Sequence, residues 1–304
     1  MKPLVYAAGA LLLALLPRPA AARTVDSGDD AAFAAGGRLF RFDYANDFFA
    51  GRDRYYTQGF GFTLFHPVLA ESPVTRLLAA LPGGESSYGL RFRHSGFTPT
   101  SLASDAALAG DRPFAAYMFL SQVRVSRDPD RGLSLTAGLD AGILGQGAGG
   151  KWIQTGLHRA LGNLLPHGWE TQVRNDAVLD YHALLEKRLV GARRGEAGAF
   201  LDAAAGSPYT NAAVGLMGRA GPFFARGQER LVGYDATLQG GLFNRHSPYT
   251  LRAAQVERVV YGAEVGVVLD RGGFALRFSR SFLGREFRGG LAHQWGELSL
   301  LARF

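Results

Sequence analysis

Cysteine is absent from this 304-residue chain, which excludes a disulfide framework, a thiolate zinc site and a cysteine nucleophile. Long apolar runs are nearly absent too. The stretch from Leu4 to Leu16 is shorter than the about 20 residues that a membrane helix needs, and no run of about 18 follows it, so no membrane helix is expected in the rest of the chain. Lys and Arg form no run of five or six, which argues against a nucleic-acid partner. There is no GxSxG elbow, HExxH helix or phosphate-binding glycine loop, so no generic catalytic motif announces a chemistry.

What is present begins with export. Lys2, the apolar stretch and the small residues Ala20-Ala21-Ala22, followed by polar sequence from Arg23, read as a secretory signal peptide over 1–22, leaving 23–304 as one domain. Loss of Lys2 and Arg18 would lower the formal charge from +7 to +5, a modest basic excess suited to an anionic surface such as lipid phosphates. Gly is frequent at 41 residues and aromatics reach 12%, a profile that many short turns and an aromatic surface would produce.

Many segments alternate with period two. Phe60, Phe62 and Leu64 alternate with Gly59, Gly61 and Thr63; Tyr88, Leu90 and Phe92 alternate with Gly89, Arg91 and Arg93. Ala177, Leu179, Tyr181 and Leu185 share one parity, and Asp176, Asp180, His182 and Glu186 the other. Alternation alone suits a soluble sandwich as well as a barrel. The export signal, the lack of cysteine and a final segment running Leu298, Leu300, Ala302, Phe304 on one parity favour an all-β, transmembrane antiparallel β-barrel. Twelve strands are expected, roughly at 38–49, 55–66, 86–97, 114–127, 131–145, 169–187, 196–207, 210–221, 230–245, 256–270, 272–283 and 290–304. An even count puts both termini on the periplasmic side and every odd-to-even connection outside. Segment 66–85, with helix-like spacing at Val74, Leu77, Leu78 and Leu81, is then an unusually long periplasmic connection.

Three exterior connections carry polar groups. The first holds Asn46-Asp47, Arg52, Arg54 and Tyr56-Thr57-Gln58-Gly59, and the second Asp111-Arg112-Pro113. The third contains a short helix between Gly149-Gly150 and Pro166, in which Gln154 and His158 lie one turn apart on a shared face, with Lys151 and Arg159 beside them. A neutral His takes a proton from water near pH 7, and a carboxylate with an amide beside it offers oxygen ligands to a divalent cation, which could polarise an ester carbonyl. Each piece also has an ordinary structural reading, as a turn, an exposed loop His or solvated charges.

Together, Tyr44-Ala45-Asn46-Asp47, Tyr56-Thr57-Gln58-Gly59, Gly110-Asp111-Arg112-Pro113-Phe114, Gly149-Gly150 with His158-Arg159, and Gly168-Trp169-Glu170-Thr171-Gln172 resemble the outer-membrane lipid A 3′-O-deacylase family. The resemblance covers the N-terminal two-thirds of the chain; from residue 190 onward it is mainly a barrel pattern. It implies a calcium-dependent (Ca2+) hydrolase of the bacterial outer membrane that removes the 3′-linked acyl or acyloxyacyl group of lipid A, within lipopolysaccharide, at a site between barrel wall and loop helix. His158 would then activate water; Asn46, Asp47 and Thr57 would build the metal and oxyanion side, with Asp47 and Asn46 as metal ligands. Arg52, Arg54, Lys151 and Arg159 would meet sugar phosphates, Asp111 and Arg112 would brace the rim, and no obligatory protein partner is implied.

Two departures stand out. Leu164 occupies the place where some members have a Glu, leaving His158 without that partner or with Glu170 or Asp176 instead; residues 98–110 hold no Lys or Arg where members can carry a basic pair. Two rival readings remain: a non-enzymatic porin with charged residues lining a water-filled channel, and an outer-membrane phospholipase using a Ser nucleophile supported by His.

Overall fold

The computed structural model describes residues 38–51, 54–192 and 195–304; the expected signal peptide at 1–22 and Arg52 lie outside the described residues. Twelve antiparallel strands form a closed barrel: β1 (Leu39–Asn46), β2 (Tyr55–Phe65), β3 (Glu85–Thr98), β4 (Ala115–Asp128), β5 (Leu133–Leu144), β6 (Asp176–Ala192), β7 (Gly195–Gly206), β8 (Tyr209–Ala220), β9 (Phe223–Asp235), β10 (Val259–Arg271), β11 (Phe274–Leu283) and β12 (His293–Arg303). Each strand pairs with its sequence neighbours. β1 closes on β12 in register from Leu39↔Arg303 to Asn46↔Gly296, so no strand edge is left to template association.

The period-two pattern faces outward with its apolar side. Phe62, Leu64, Leu120, Leu179, Leu216 and Leu300 are all exposed, whereas the sequence neighbours Thr63, Ser121, Asp180 and Ser299 are buried inside the barrel. A soluble sandwich would bury the first set; a barrel in lipid exposes it. No helix among the described residues is long and apolar enough to cross a membrane.

The interior is layered. Nearest the chain termini, Leu39, Phe65, Val123, Val268 and Leu301 pack together. Above them Arg41 meets Asp43 at 2.6 Å, and Arg277 meets Glu264 at 2.6 Å and Glu297 at 3.3 Å. A cavity of about 420 Å³ follows. At the far end Tyr55, Leu238, Leu251, Val256 and Phe287 cluster.

The connections at the terminus end are short except for 66–84. That segment forms two 3-10 turns, Pro67–Glu71 and Pro73–Leu77, rather than the single helix its apolar spacing suggests, because a proline at the start of each turn restarts the chain direction. It is tied to the barrel wall by Ala79 N–H donating to the Tyr181 hydroxyl at 2.8 Å and Leu81 N–H to Ser126 Oγ at 3.0 Å.

Two expected strands are displaced. β6 begins at Asp176 rather than near 169, because 168–171 is a 3-10 turn that buries Trp169. β9 covers Phe223–Asp235 rather than 230–245: Gly221, at φ 58°, supplies the tight turn before it. The chain leaves the sheet where Asp235 caps a one-turn helix, Ala236–Gln239, by accepting from Thr237 N–H at 2.8 Å.

Candidate functional site

The loop joining β5 to β6 carries α1 (Gly150–Leu161), which lies against the outer face of the barrel wall at the end opposite the termini. Glycine makes the close docking possible. A Cβ on Gly150 would come within 2.6 Å of the Trp169 ring and of Ala116 Cβ, and one on Gly168 within 2.5 Å of the Phe114 ring. Trp169 is fully buried and packs with Leu102, Phe114, Ala116 and Ala148, so a single indole acts as the post between loop and wall. The buried stripe of α1 is Gly150, Gln154 and His158, a four-residue spacing that sets three positions on one face.

Gln154 is held at both ends of its amide. Its Oε1 accepts from Trp169 Nε1 at 2.7 Å, and its Nε2 donates to Thr57 Oγ1 at 3.2 Å. Thr57 is the extra residue of a β-bulge, because β2 pairs Tyr56 with Phe97 and then Gln58 with Gly96. The bulge breaks the alternation and lets Thr57 and Gln58 both line the cleft under α1 while Tyr56 stays in the lumen.

Asn46 ends β1 and caps the 3-10 turn Asp47–Ala50, its Oδ1 accepting from Phe48 N–H at 2.7 Å. Its Nδ2 donates to the Tyr44 hydroxyl at 3.2 Å. Asp47 is buried and accepts from Arg54 N–H at 2.5 Å, which folds the loop back on itself. Asn46, Asp47, Thr57 and His158 therefore line one narrow cleft of about 90 Å³ between wall and helix.

His158 finds its partner in the backbone. Gly162, at φ 71°, turns the chain at the end of α1, with Asn163 N–H donating back to the His158 carbonyl at 2.9 Å. That reversal brings the Leu164 carbonyl oxygen to 2.6 Å from His158 Nδ1. Neither carboxylate considered from the sequence takes the role. Glu170 pairs with Lys151, whose ammonium holds its carboxyl below the usual range, and Asp176 accepts from Ala177 N–H and Phe243 N–H.

The cations expected to meet sugar phosphates are spread out. Lys151 and Arg159 are exposed on α1, and Arg54 sits half-buried beside Asp47. Asp111 and Arg112 brace the rim as the sequence suggests: Asp111 accepts from Thr100 N–H and Oγ1, and the fully buried Arg112 donates to Glu286 at 2.5 Å and Thr237 at 2.6 Å. Burial opposes the Arg112 charge, but Glu286 and Asp235 outweigh it and the guanidinium holds its proton more tightly than usual.

Two participants went unassigned from sequence. Gln154 was visible as the i, i+4 neighbour of His158 but had no role; its fixed amide now joins the wall to the helix. The Leu164 carbonyl left no side-chain signal.

A closed twelve-stranded barrel with lipid-facing apolar strands and a polar cleft roofed by a loop helix defines an outer-membrane barrel with an external cleft. Comparison narrows this further. The family model described as outer membrane protein LpxR matches residues 7–223 and 221–304, and the chain belongs to that family. Among solved structures, LpxR from Salmonella typhimurium superposes with a TM-score of 0.72 at 18% identity, covering 88% of this chain and 100% of that one. The COG4313 outer membrane channel from Pseudomonas putida F1 gives 0.48 at 11% identity, covering 88% and 96%. The beta domain of the Bordetella autotransporter BrkA gives 0.44 at 12%, covering 88% and 99%. No curated protein sequence matches the chain.

Proposed function

We propose that this barrel is a lipid A deacylase that hydrolyses the ester of the 3′-linked acyl or acyloxyacyl group in the outer leaflet, exported through the 1–22 signal. The observation that carries the reading is the position of the cleft. Tyr44, Asn46 and Gln58 share the outward parity of Phe40, Phe42, Phe60 and Phe62, so the polar cleft continues the lipid-facing stripe of β1 and β2. Exposed Phe48 and Leu161 line its mouth, with exposed Leu164 just after the turn that ends α1. A substrate with its chains in the bilayer and its ester at the boundary would meet the cleft without leaving the membrane.

In this mechanism the Leu164 carbonyl accepts the Nδ1 proton of His158, which fixes the tautomer and leaves Nε2 as the nitrogen that takes a proton from water. The water oxygen attacks the ester carbonyl, and the proton held on His158 is then returned to the departing sugar oxygen. The sources of oxygen ligands are the Asp47 carboxylate, the Asn46 amide and the Thr57 hydroxyl, a hard donor set that fits Ca2+. Bound there, the ion would supply Lewis-acid stabilisation of the developing oxyanion. Gln154 keeps Thr57 in place, and Arg54, Lys151 and Arg159, with Arg52, supply positive charge for the sugar phosphates.

The test is mass spectrometry of lipid A incubated with detergent-purified protein, with Ca2+, with chelator, and with His158→Ala. The expected result is Ca2+-dependent loss of one acyl or acyloxyacyl mass, reduced about 10²–10⁴-fold in the variant, the range a general base contributes. Intact lipid A with folded protein under every condition refutes the deacylase. Covalent labelling by a serine-directed inhibitor, with loss of activity, would favour a phospholipase instead.

A further inference from the structure

We propose that the barrel interior carries a metal site of its own, in which Asp140, Asp180 and His182 bind a transition-metal dication such as Zn2+ or Mn2+. Asp140 on β5 and Asp180 on β6 are direct cross-strand partners, and His182 is the next inward residue on β6. One ligand atom from each of the three lies within 4.8 Å of the others. Both carboxylates are buried, at 5% and 6% exposure, and the Oδ1 atom of each has no hydrogen-bond partner. Asp140 Oδ1 faces His182 Nδ1 at 3.4 Å, too long for a good hydrogen bond.

Two buried carboxylates directly opposite one another repel, and buried charge needs compensation. Arg230, which faces the same cavity, is paired with Asp202 at 3.7 Å. A dication between the two Asp side chains matches their charge and engages both orphaned oxygens.

The surrounding backbone leaves room for this arrangement. A Cβ on Gly138 would fall 2.2 Å from His182 Cε1, and one on Gly206 would fall 2.3 Å from Asp180 Oδ1. The His182 ring thus fills the space that a side chain at 138 would take, and at 206 the Leu179 carbonyl oxygen, also 2.3 Å away, excludes a Cβ together with the carboxylate. Ligands about 2.0–2.2 Å from a shared ion lie at most about 4 Å apart, so small side-chain rotations close the trio. The cavity of about 420 Å³ has space for water to complete the coordination shell.

The donor set decides the class of ion. One imidazole and two carboxylates suit Zn2+, Mn2+ or Fe2+, whereas Ca2+ prefers oxygen alone. The place also matters: Asp140 lies four residues before the end of β5 and Asp180 four residues after the start of β6. The ion clamps the two legs of the loop that carries α1, on the opposite face of the wall from the cleft of Asp47 and His158.

The experiment loads detergent-purified barrel, stripped with EDTA, with Zn2+ or Mn2+, desalts it and counts bound metal by mass spectrometry. Parent, Asp180→Asn, His182→Ala and Asp47→Ala are compared, with folding confirmed by heat-modifiable gel migration. Parent and Asp47→Ala should each retain one equivalent that Asp180→Asn and His182→Ala lose, and Co2+-loaded parent should show visible absorption bands altered by His182→Ala. Equal metal retention in parent and the two interior variants overturns the site. So does no retention in the parent, the result expected if the carboxylates simply share a proton. Loss of the equivalent in Asp47→Ala alone would place it in the external cleft and overturn the proposal as well.

Discussion

At the scale of single residues, the informative contact is His158 Nδ1 to the Leu164 carbonyl at 2.6 Å. A carbonyl can only accept, so it selects one tautomer as firmly as a carboxylate would while adding no negative charge to stabilise the imidazolium. Because the partner is backbone, Leu164→Ala should leave kcat near that of the parent. Gly162→Val should not: φ is 71° there, a region costly for a β-branched residue, and the strain moves the 163–164 peptide that carries the acceptor. The expected result for Gly162→Val is a fall in kcat with KM nearly constant, measured on lipid A. A parallel loss in Leu164→Ala would show that the side chain matters and that the carbonyl is incidental. Asn46, Asp47, Thr57 and His158 can be singled out in the sequence as polar side chains of neighbouring connections, and the structure brings them to one cleft. The His158 partner cannot be singled out that way, since a carbonyl oxygen belongs to every residue and only the turn at Gly162 aims this one.

Among the elements, α1 and the bulge in β2 build the cleft together. Trp169 holds α1 to the wall through packing with Phe114 and through its hydrogen bond to Gln154. Trp169→Ala should cost about 3–5 kcal/mol of local packing, which releases the 145–175 loop without unfolding the closed barrel. Protease cleavage within 145–175 and loss of deacylation, with unchanged heat-modifiable migration, are expected; a protease-resistant, active variant would remove Trp169 from this role. Gly150→Val should reproduce the phenotype, because its side chain would occupy the space of the Trp169 ring. Strand existence and parity were readable from the period-two pattern, and the failures have a local cause. Residues 169–175 carry strand-like apolar spacing through Trp169 and Val173, but Trp169 is buried with Leu102, Phe114 and Ala148 of the loops and Val173 against Phe97, Tyr117 and Leu144 of the barrel, neither as a member of a strand. The 230–245 expectation ran through Asp235, whose capping hydrogen bond ends the strand.

For the whole molecule the question is whether the barrel conducts. A porin needs a continuous water path, with lumenal charges lining it. Here the charges pair with one another: Arg41, Asp43, Arg277 and Glu297, on the neighbouring strands β1, β11 and β12, form a buried network along one side of the lumen, and Leu39, Phe65, Val268 and Leu301 form an apolar layer on its terminus side. Ions entering the lumen would pass side chains already neutralised in pairs and then meet the apolar layer, which offers them no polar partner. The outer wall, by contrast, is apolar and continuous with the cleft of Asn46 and His158. Protein reconstituted in planar bilayers should therefore give no steady porin-like conductance while still deacylating lipid A presented in the same membrane. Leu216→Arg on the lipid face should hinder insertion at a cost of up to about 2–4 kcal/mol. A stable, ohmic conductance from the parent protein would mean that both interior layers open, and would return the channel reading to first place.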